Sequence, residues 1–363
     1  MSGPPGALTR FETAMHPADA KPVRLGEIVA ALGGELRGDP GQQIARIAPL
    51  ETAGADAITF VAQARLRPLL ESSQAGAVVV APALAAAAPD GRALVITDDP
   101  YLYFARLTQW WARRLRPAPA PGVHSSAVIA ADATVAASAV IGPMVVIEPG
   151  AVIGERVQLG AHCVVGAGSR IGADSLMHPR VTIAAGCSVG ERCVFQSGAI
   201  IGADGFGIAP TQGRWERIEQ LGGVRIGNDV DIGANTCVDR GALEDTVLED
   251  GVKLDNQIQI GHNCHIGAHT VMAACVGIAG STKVGRNVMI GGAAMIQGHI
   301  EIADGVTVSA STMVMHSLRK KGVYTAIFPV DDHASWEKNA VTLRNLYALR
   351  ERVRALEKAQ KKD

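Results

Sequence analysis

Residues Val123–Gly154 read VHSSAVIAADATVAASAVIGPMVVIEPGAVIG, and an apolar side chain falls on every sixth position. The series is Val123, Ile129, Val135, Ile141, Ile147 and Ile153, and it continues without a miss through Leu159, Val165, Ile171, Met177, Ile183, Val189 and Phe195 to Ile201. It returns at Ile226, Ile232 and Val238. It then shifts register by four and runs from Leu248 through Leu254, Ile260, Ile266, Met272, Ile278, Val284, Ile290, Ile296, Ile302 and Val308 to Val314. A period of six is no multiple of the helical 3.6, but it is an even number of strand steps, so every sixth side chain can enter one interior. Short strands joined by corners meet that requirement. This is the hexapeptide signature of a parallel β-helix.

The fine structure of the repeat agrees. Glycine follows the anchor at Gly142, Gly154, Gly160, Gly166, Gly172 and many later positions, where a corner demands unusual dihedrals or close backbone approach. Three hexapeptides close one triangular coil of about eighteen residues, so the 29 anchors predict roughly ten coils. Each buried aliphatic chain contributes about 1.5–3 kcal/mol, which gives a core despite 4% aromatics. The expected class is mainly β: a left-handed parallel β-helix with a small N-terminal α/β domain and a C-terminal helical extension.

At 363 residues the chain accommodates two domains and an appendage. A net charge of −1 supplies no global reason for nucleic-acid binding. No run of eighteen apolar residues occurs, and Met1–Ala20 lacks a hydrophobic signal core, so a soluble cytoplasmic protein without an integral membrane segment is expected. Cys163, Cys187, Cys193, Cys237, Cys264 and Cys275 lie within the repeats with no CxxC pair, and all six read as small packing residues.

Residues 1–20 read as a disordered leader and 21–116 as the α/β domain. In that domain Val23–Leu32 reads as a short helix stopped by Gly33-Gly34, Ala57–Ala62, Gly76–Val80 and Ala93–Thr97 as buried strands, and Tyr101–Leu115 as a helix. Residues 117–122 form a proline-rich linker and 123–318 the β-helix. Two stretches, between Ile201 and Ile226 and at Asp239–Val247, leave the period and are expected to project from one face. In the 319–363 extension, Ser335–Lys362 reads as one helix. Leu346, Leu349, Val353 and Leu356 fall on its a/d seam, suited to pairing between subunits or to packing on the solenoid end.

Polar chemistry concentrates in Asp255–His269. His262 stands two positions after its anchor and His299 three positions after its own, 37 residues later, which places them on one face two coils, or about 10 Å, apart. A histidine of ordinary pKa suits a general base acting on an amine or hydroxyl, and Asp255, across one corner, is a candidate to orient it. His262, His265 and His269 occupy different offsets, so their side chains diverge and no metal site is expected; zinc ligation, as in γ-class carbonic anhydrases, is the competing reading.

The segments AITF (Ala57–Phe60), DPYLYFARL (Asp99–Leu107), QSGAIIGADGFG (Gln196–Gly207), DRGALEDT (Asp239–Thr246), DNQIQIGHN (Asp255–Asn263) and GGAAMIQGH (Gly291–His299) occur in family order along nearly the whole chain. In these the chain resembles the UDP-3-O-(3-hydroxyacyl)glucosamine N-acyltransferases of lipid A biosynthesis in Gram-negative bacteria. The resemblance implies a homotrimer with sites in clefts between solenoids, needing no cofactor. It implies that His262 takes the proton of the glucosamine 2-amine of UDP-3-O-acylglucosamine as that amine attacks a thioester on acyl carrier protein. Asp255 would orient His262, the N–H of Gly280 would hold the oxyanion, and His299 would contact donor or nucleotide. Substrate contacts fall on Phe60, which would stack on uracil, on Asn256 and on Gln63. Gln63 and Leu66 depart from the family's usual Asn and Tyr. The related O-acyltransferase of the same pathway lacks the N-terminal domain; a β-helix hydratase or an inert scaffold are the remaining alternatives.

Overall fold

The computed structural model describes residues 21–89, 91–116 and 119–360; the expected leader, part of the proline-rich linker and the last three residues lie outside them. The chain forms two compact units, one up to Pro119 and one from Ala120.

Among the described residues the first unit holds four α-helices: α1 (Leu25–Leu32), α2 (Arg67–Ser72), α3 (Pro82–Ala85) and α4 (Pro100–Leu115). They flank a five-stranded sheet in the order Glu35–Arg37, Ala93–Ile96, Ala77–Val80, Ala57–Val61, Arg46–Ile47, with only the first strand antiparallel. Ala77–Val80 and Ala93–Ile96 are buried at every residue, because both faces of a parallel sheet are covered and continuous apolar runs result. Leu25, Ile28, Leu107 and Trp111 cover one face; Leu70 and Leu84 cover the other. Asp99 caps α4 by accepting from Leu102 N at 2.9 Å. Helices α2 and α3 and the strands Glu35–Arg37 and Arg46–Ile47 escaped the sequence reading, being too short to show a period.

The second unit is the left-handed parallel β-helix expected of the repeat. Its strands, mostly two residues long, form three parallel sheets of eleven, ten and nine strands. Registers advance by eighteen, as in Val128, Val146, Val164 and Thr182 along the ten-stranded sheet, which matches the ten coils expected. Calling the eleven-, ten- and nine-stranded sheets first, second and third, each coil visits them in that order. One residue of each pair points inward: Ile141, Ile147, Ile153, Leu159 and Val165 are each 2% exposed or less. The anchors of the first coil behave differently. Val123 is 54% exposed, and Ile129 and Val135 are half-buried, since no coil stacks on that end.

The corners correct one detail. The glycine after the anchor is required by stacking: a Cβ on Gly166 would lie 2.4 Å from the backbone N of Ala185 in the next coil. Left-handed dihedrals fall two residues later, in slots that hold Met144, Arg156, His162, Asp174, Asn263, Ser281 and His299 as well as glycine. Cys275 occupies such a slot and is exposed, whereas Cys163, Cys187, Cys193 and Cys264 are buried; packing does not account for Cys275.

Both excursions leave from the corner between the second and third sheets, in consecutive coils. One forms an antiparallel hairpin, Ile208–Thr211 with Arg214–Arg217; the other is the loop 240–245. The expected single C-terminal helix is two, α5 (His333–Arg344) and α6 (Leu346–Gln360), divided at Asn345, whose side chain donates back to Val341 O at 2.9 Å. No residue of either helix is buried.

Candidate active site

His262, Gly280 and His299 lie in three successive coils of the corner from which both excursions leave. Backbone bonds stack them: Ser281 N donates to His262 O at 2.8 Å and His299 N to Gly280 O at 3.1 Å. His262 and Gly280 share the second corner position, while Asn263, Ser281 and His299 share the left-handed third, with φ of 59°, 60° and 60°. The imidazole lies against the glycine beneath it: a Cβ on Gly280 would meet His262 Nε2 at 2.7 Å and Cε1 at 2.8 Å. On its other side a Cβ on Gly205, at the hairpin root, would meet His262 Cβ at 2.5 Å. These two glycines make room for the ring. The N–H of Gly280 donates to no acceptor among the described residues, which leaves it available to a ligand beside Nε2.

The loop 240–245 closes over the same corner. His262 Nδ1 lies 3.0 Å from Asn263 Oδ1, which also accepts from Ala242 N at 3.0 Å. Asn263 Nδ2 donates to Glu244 O at 2.9 Å, and Asn263 N to Thr246 Oγ1 at 2.8 Å. Gly241 is buried beneath this clasp; a Cβ there would sit 1.6 Å from Glu244 O. The nearby carboxylate is Asp239, one coil back, where Cys237–Asp239 runs beside Gln259–Ile260. Burial pushes the Asp239 carboxyl above its usual value, against a hydrogen bond from Gln259 and the charge of His262. Gln220 is 5% exposed, and its Oε1, 2.8 Å from the Cβ position of Gly205, has no partner among the described residues. Asp239, Gln220 and Asn263 were not singled out from the sequence. The motifs DRGALEDT and DNQIQIGHN contain two of them, but only the stacking of coils shows which atoms meet.

Within one chain Asp255 lies apart from His262. It sits at the preceding corner, at the far end of Gln259–Ile260, because a strand separates it from His262. Its Oδ1 accepts from Asn256 N at 2.8 Å and its Oδ2 from Ala274 N at 3.0 Å, and among the described residues no hydrogen bond joins it to His262. Asn256 does the same work upward, with Oδ1 accepting from Ala234 N at 2.6 Å. Both line a groove of about 500 Å³ with Gln196 and Asp231. His265 points from the third sheet to Glu249 at 2.8 Å, and His269 occupies the next corner, so the three clustered histidines diverge. Among the described residues no group of three or more His, Cys, Asp or Glu is placed to hold a metal ion.

In the first unit Phe60 stacks on Phe104 with centroids 4.2 Å apart and lies 6.0 Å from Tyr101, a residue 68% exposed. Gln63 Oε1 accepts from Arg65 Nε at 2.6 Å.

Comparison with known proteins identifies the family. Residues 42–110 match the family model described as UDP-3-O-(3-hydroxymyristoyl) glucosamine N-acyltransferase, LpxD, and residues 123–205 match the GMPPB C-terminal domain. The UDP-3-O-acylglucosamine N-acyltransferase of Leptothrix cholodnii is 57% identical, covering 92% of this chain and 98% of its own. That of Delftia acidovorans is 52% identical, covering 93% and 95%. Among solved structures, the Arabidopsis UDP-N-acetylglucosamine acyltransferase shares the fold, with a TM-score of 0.51 and 17% identity over 63% of this chain and 81% of its own. Identity above one half along nine-tenths of the length covers both units and every corner just described, and the chain belongs to the UDP-3-O-acylglucosamine N-acyltransferase family.

Proposed function

We propose that the protein transfers an (R)-3-hydroxyacyl group from acyl carrier protein to the 2-amine of UDP-3-O-(3-hydroxyacyl)glucosamine, a step of lipid A biosynthesis in the cytoplasm, as a homotrimer. The observation that carries this reading is the corner at which His262 Nε2 faces Gly280 while the Gly280 N–H has no acceptor among the described residues. The amine nitrogen attacks the thioester carbonyl and His262 Nε2 accepts its proton. The oxyanion takes the N–H of Gly280, where a fixed donor in a dry cleft acts without reorganisation. Collapse forms the amide and expels the carrier's thiolate, which recovers the proton from the imidazolium. His299, two coils on, contacts donor or nucleotide. Phe60 offers its ring to uracil, with Gln63 and Asn256 as further substrate contacts. Asp255 orients the base, a role it can fill only from a neighbouring subunit because in its own chain a strand separates it from His262.

No described helix is long and apolar enough to cross a membrane. The test is direct: purified protein with a 3-hydroxyacyl thioester of acyl carrier protein and UDP-3-O-acylglucosamine yields amide and free carrier thiol in equal amounts. Product from UDP-N-acetylglucosamine instead would overturn the N-acyl reading in favour of O-acylation. Activity lost on exhaustive chelation would revive the metal-dependent hydratase. Sedimentation as a monomer at working concentration would remove the trimer.

A further inference from the structure

A histidine base has two neutral tautomers, and only the one with its lone pair at the reacting atom is competent. At His262 the choice is made by an amide. The side chain of Asn263 cannot be turned over: its oxygen faces the N–H of Ala242 and its nitrogen faces the carbonyl of Glu244, so a flip would set N–H against N–H and oxygen against oxygen. The atom 3.0 Å from His262 Nδ1 is therefore an acceptor, and Nδ1 must carry the hydrogen. The lone pair is left on Nε2, the nitrogen over Gly280.

We propose that Asn263, clamped by the loop 240–245, is the positioning residue that holds neutral His262 as the Nδ1–H tautomer. This rests on His262 being the base. The excursion 240–245 then has a purpose beyond covering the corner: its backbone, by gripping both ends of one amide, sets the proton on the ring of His262. Gly241 belongs to the same device, since any side chain there would meet Glu244 O at 1.6 Å and Asn263 Nδ2 at 2.7 Å. An amide in this role differs from a carboxylate. It orients the ring without adding a charge that would hold the imidazolium and slow return of the proton to the leaving thiolate.

Two-bond ¹⁵N–¹H correlation spectra of protein labelled with [¹⁵N]histidine read the tautomer, with the His262 signals identified by their loss in His262→Ala. In the wild type with the ring neutral, Nδ1 is expected as the protonated nitrogen and Nε2 as the bare one. In Asn263→Ala the signals move toward the Nε2–H form that free imidazole prefers. kcat falls by about 10²-fold, within the share a general base supplies, while both KM values stay within about twofold. Asn263→Asp keeps the acceptor toward Nδ1 and Ala242 N but sets an oxygen against Glu244 O, so it retains Nδ1–H while its kcat falls by less than in Asn263→Ala. It also moves the acid limb of the pH–rate profile upward, because a carboxylate stabilises the imidazolium. Should Asn263→Ala not fold, the aspartate variant alone decides the matter. A persistent Nδ1–H signal or unchanged kcat in Asn263→Ala, or an Nε2–H signal in Asn263→Asp, overturns the role of Asn263 while His262→Ala remains inactive. Near-normal turnover in His262→Ala defeats the underlying assignment of the base instead.

Discussion

His262 is surrounded by residues that are chosen for what they lack. Gly205 and Gly280 have no Cβ, and the imidazole fills the space on both sides. Removal of the ring in His262→Ala is expected to reduce turnover by about 10²–10⁴-fold without unfolding the coil, measured as kcat at saturating substrates. Retention of more than a tenth of the rate would assign the proton transfer elsewhere. Gly280→Ala tests the space itself. The new Cβ would lie 2.7 Å from Nε2, so the ring must swing away from the reacting position. Gly280 has no left-handed backbone that an alanine would strain, so a fall in kcat of at least about tenfold should accompany a Tm change of no more than about 4 °C. A variant as active as wild type would show that the imidazole does not work from this position. Histidine and glycine were legible in DNQIQIGHN and in the repeat. The surroundings of the ring were not, because coil stacking brings the charge of Asp239 near it and loop closure fixes which way the Asn263 amide faces.

At the scale of elements, coils are joined by side chains that accept corner amides from the adjacent coil. Asp250 accepts from Asn228 N at 2.7 Å, Asp304 from Arg286 N at 2.7 Å, and Glu249 from Ala268 N at 2.9 Å. Asp255 and Asn256 belong to this ladder, which explains why a carboxylate expected beside the base lies elsewhere. Glu249 also holds His265 at 2.8 Å, and this hydrogen bond is the main reason its carboxyl titrates below the usual 4.5. A carboxyl whose folded pKa is depressed contributes stability above its unfolded value, and that stability disappears as pH falls through the folded one. Glu249→Gln should therefore lower Tm at neutral pH by no more than about 2–4 °C, given that the pair is partly solvated. The gap to wild type should close as the pH drops below 4.5. Thermal melts of both proteins across that range check it, and a gap that widens in acid would contradict the pairing.

The whole molecule presents two contrasting surfaces. The β-helix interior is closed by its anchors, but α5 and α6 bury nothing in the single chain, and Leu346, Leu349, Val353 and Leu356 are 48%, 44%, 46% and 68% exposed. On the function proposed above, the apolar seam, flanked by Arg350, Arg352 and Arg354, suits association between subunits and charge attraction to an acidic carrier protein. Reversing Arg350, Arg352 and Arg354 to Glu should raise the apparent KM for acyl carrier protein by about three- to tenfold. The KM for the UDP-sugar should stay within about twofold, and the salt dependence of the carrier step should flatten. Carrier kinetics that ignore both the substitutions and moderate salt would move the docking surface to another part of the assembly.

A six-residue period is a statement about which side chains point inward, and inward direction is a local property of a strand; hence the solenoid, its ten coils and its two excursions follow from the sequence alone. Family motifs in order extended that reading to His262, Gly280, His299 and Phe60. Two kinds of information needed the tertiary structure. One is which corner a residue occupies, since Asp255 and His262 are close in sequence yet lie on opposite ends of a strand. The other is the direction of each hydrogen bond around the ring, because the clasp on Asn263 comes from a loop about twenty residues earlier whose backbone carbonyl and amide meet it only after the coils have stacked.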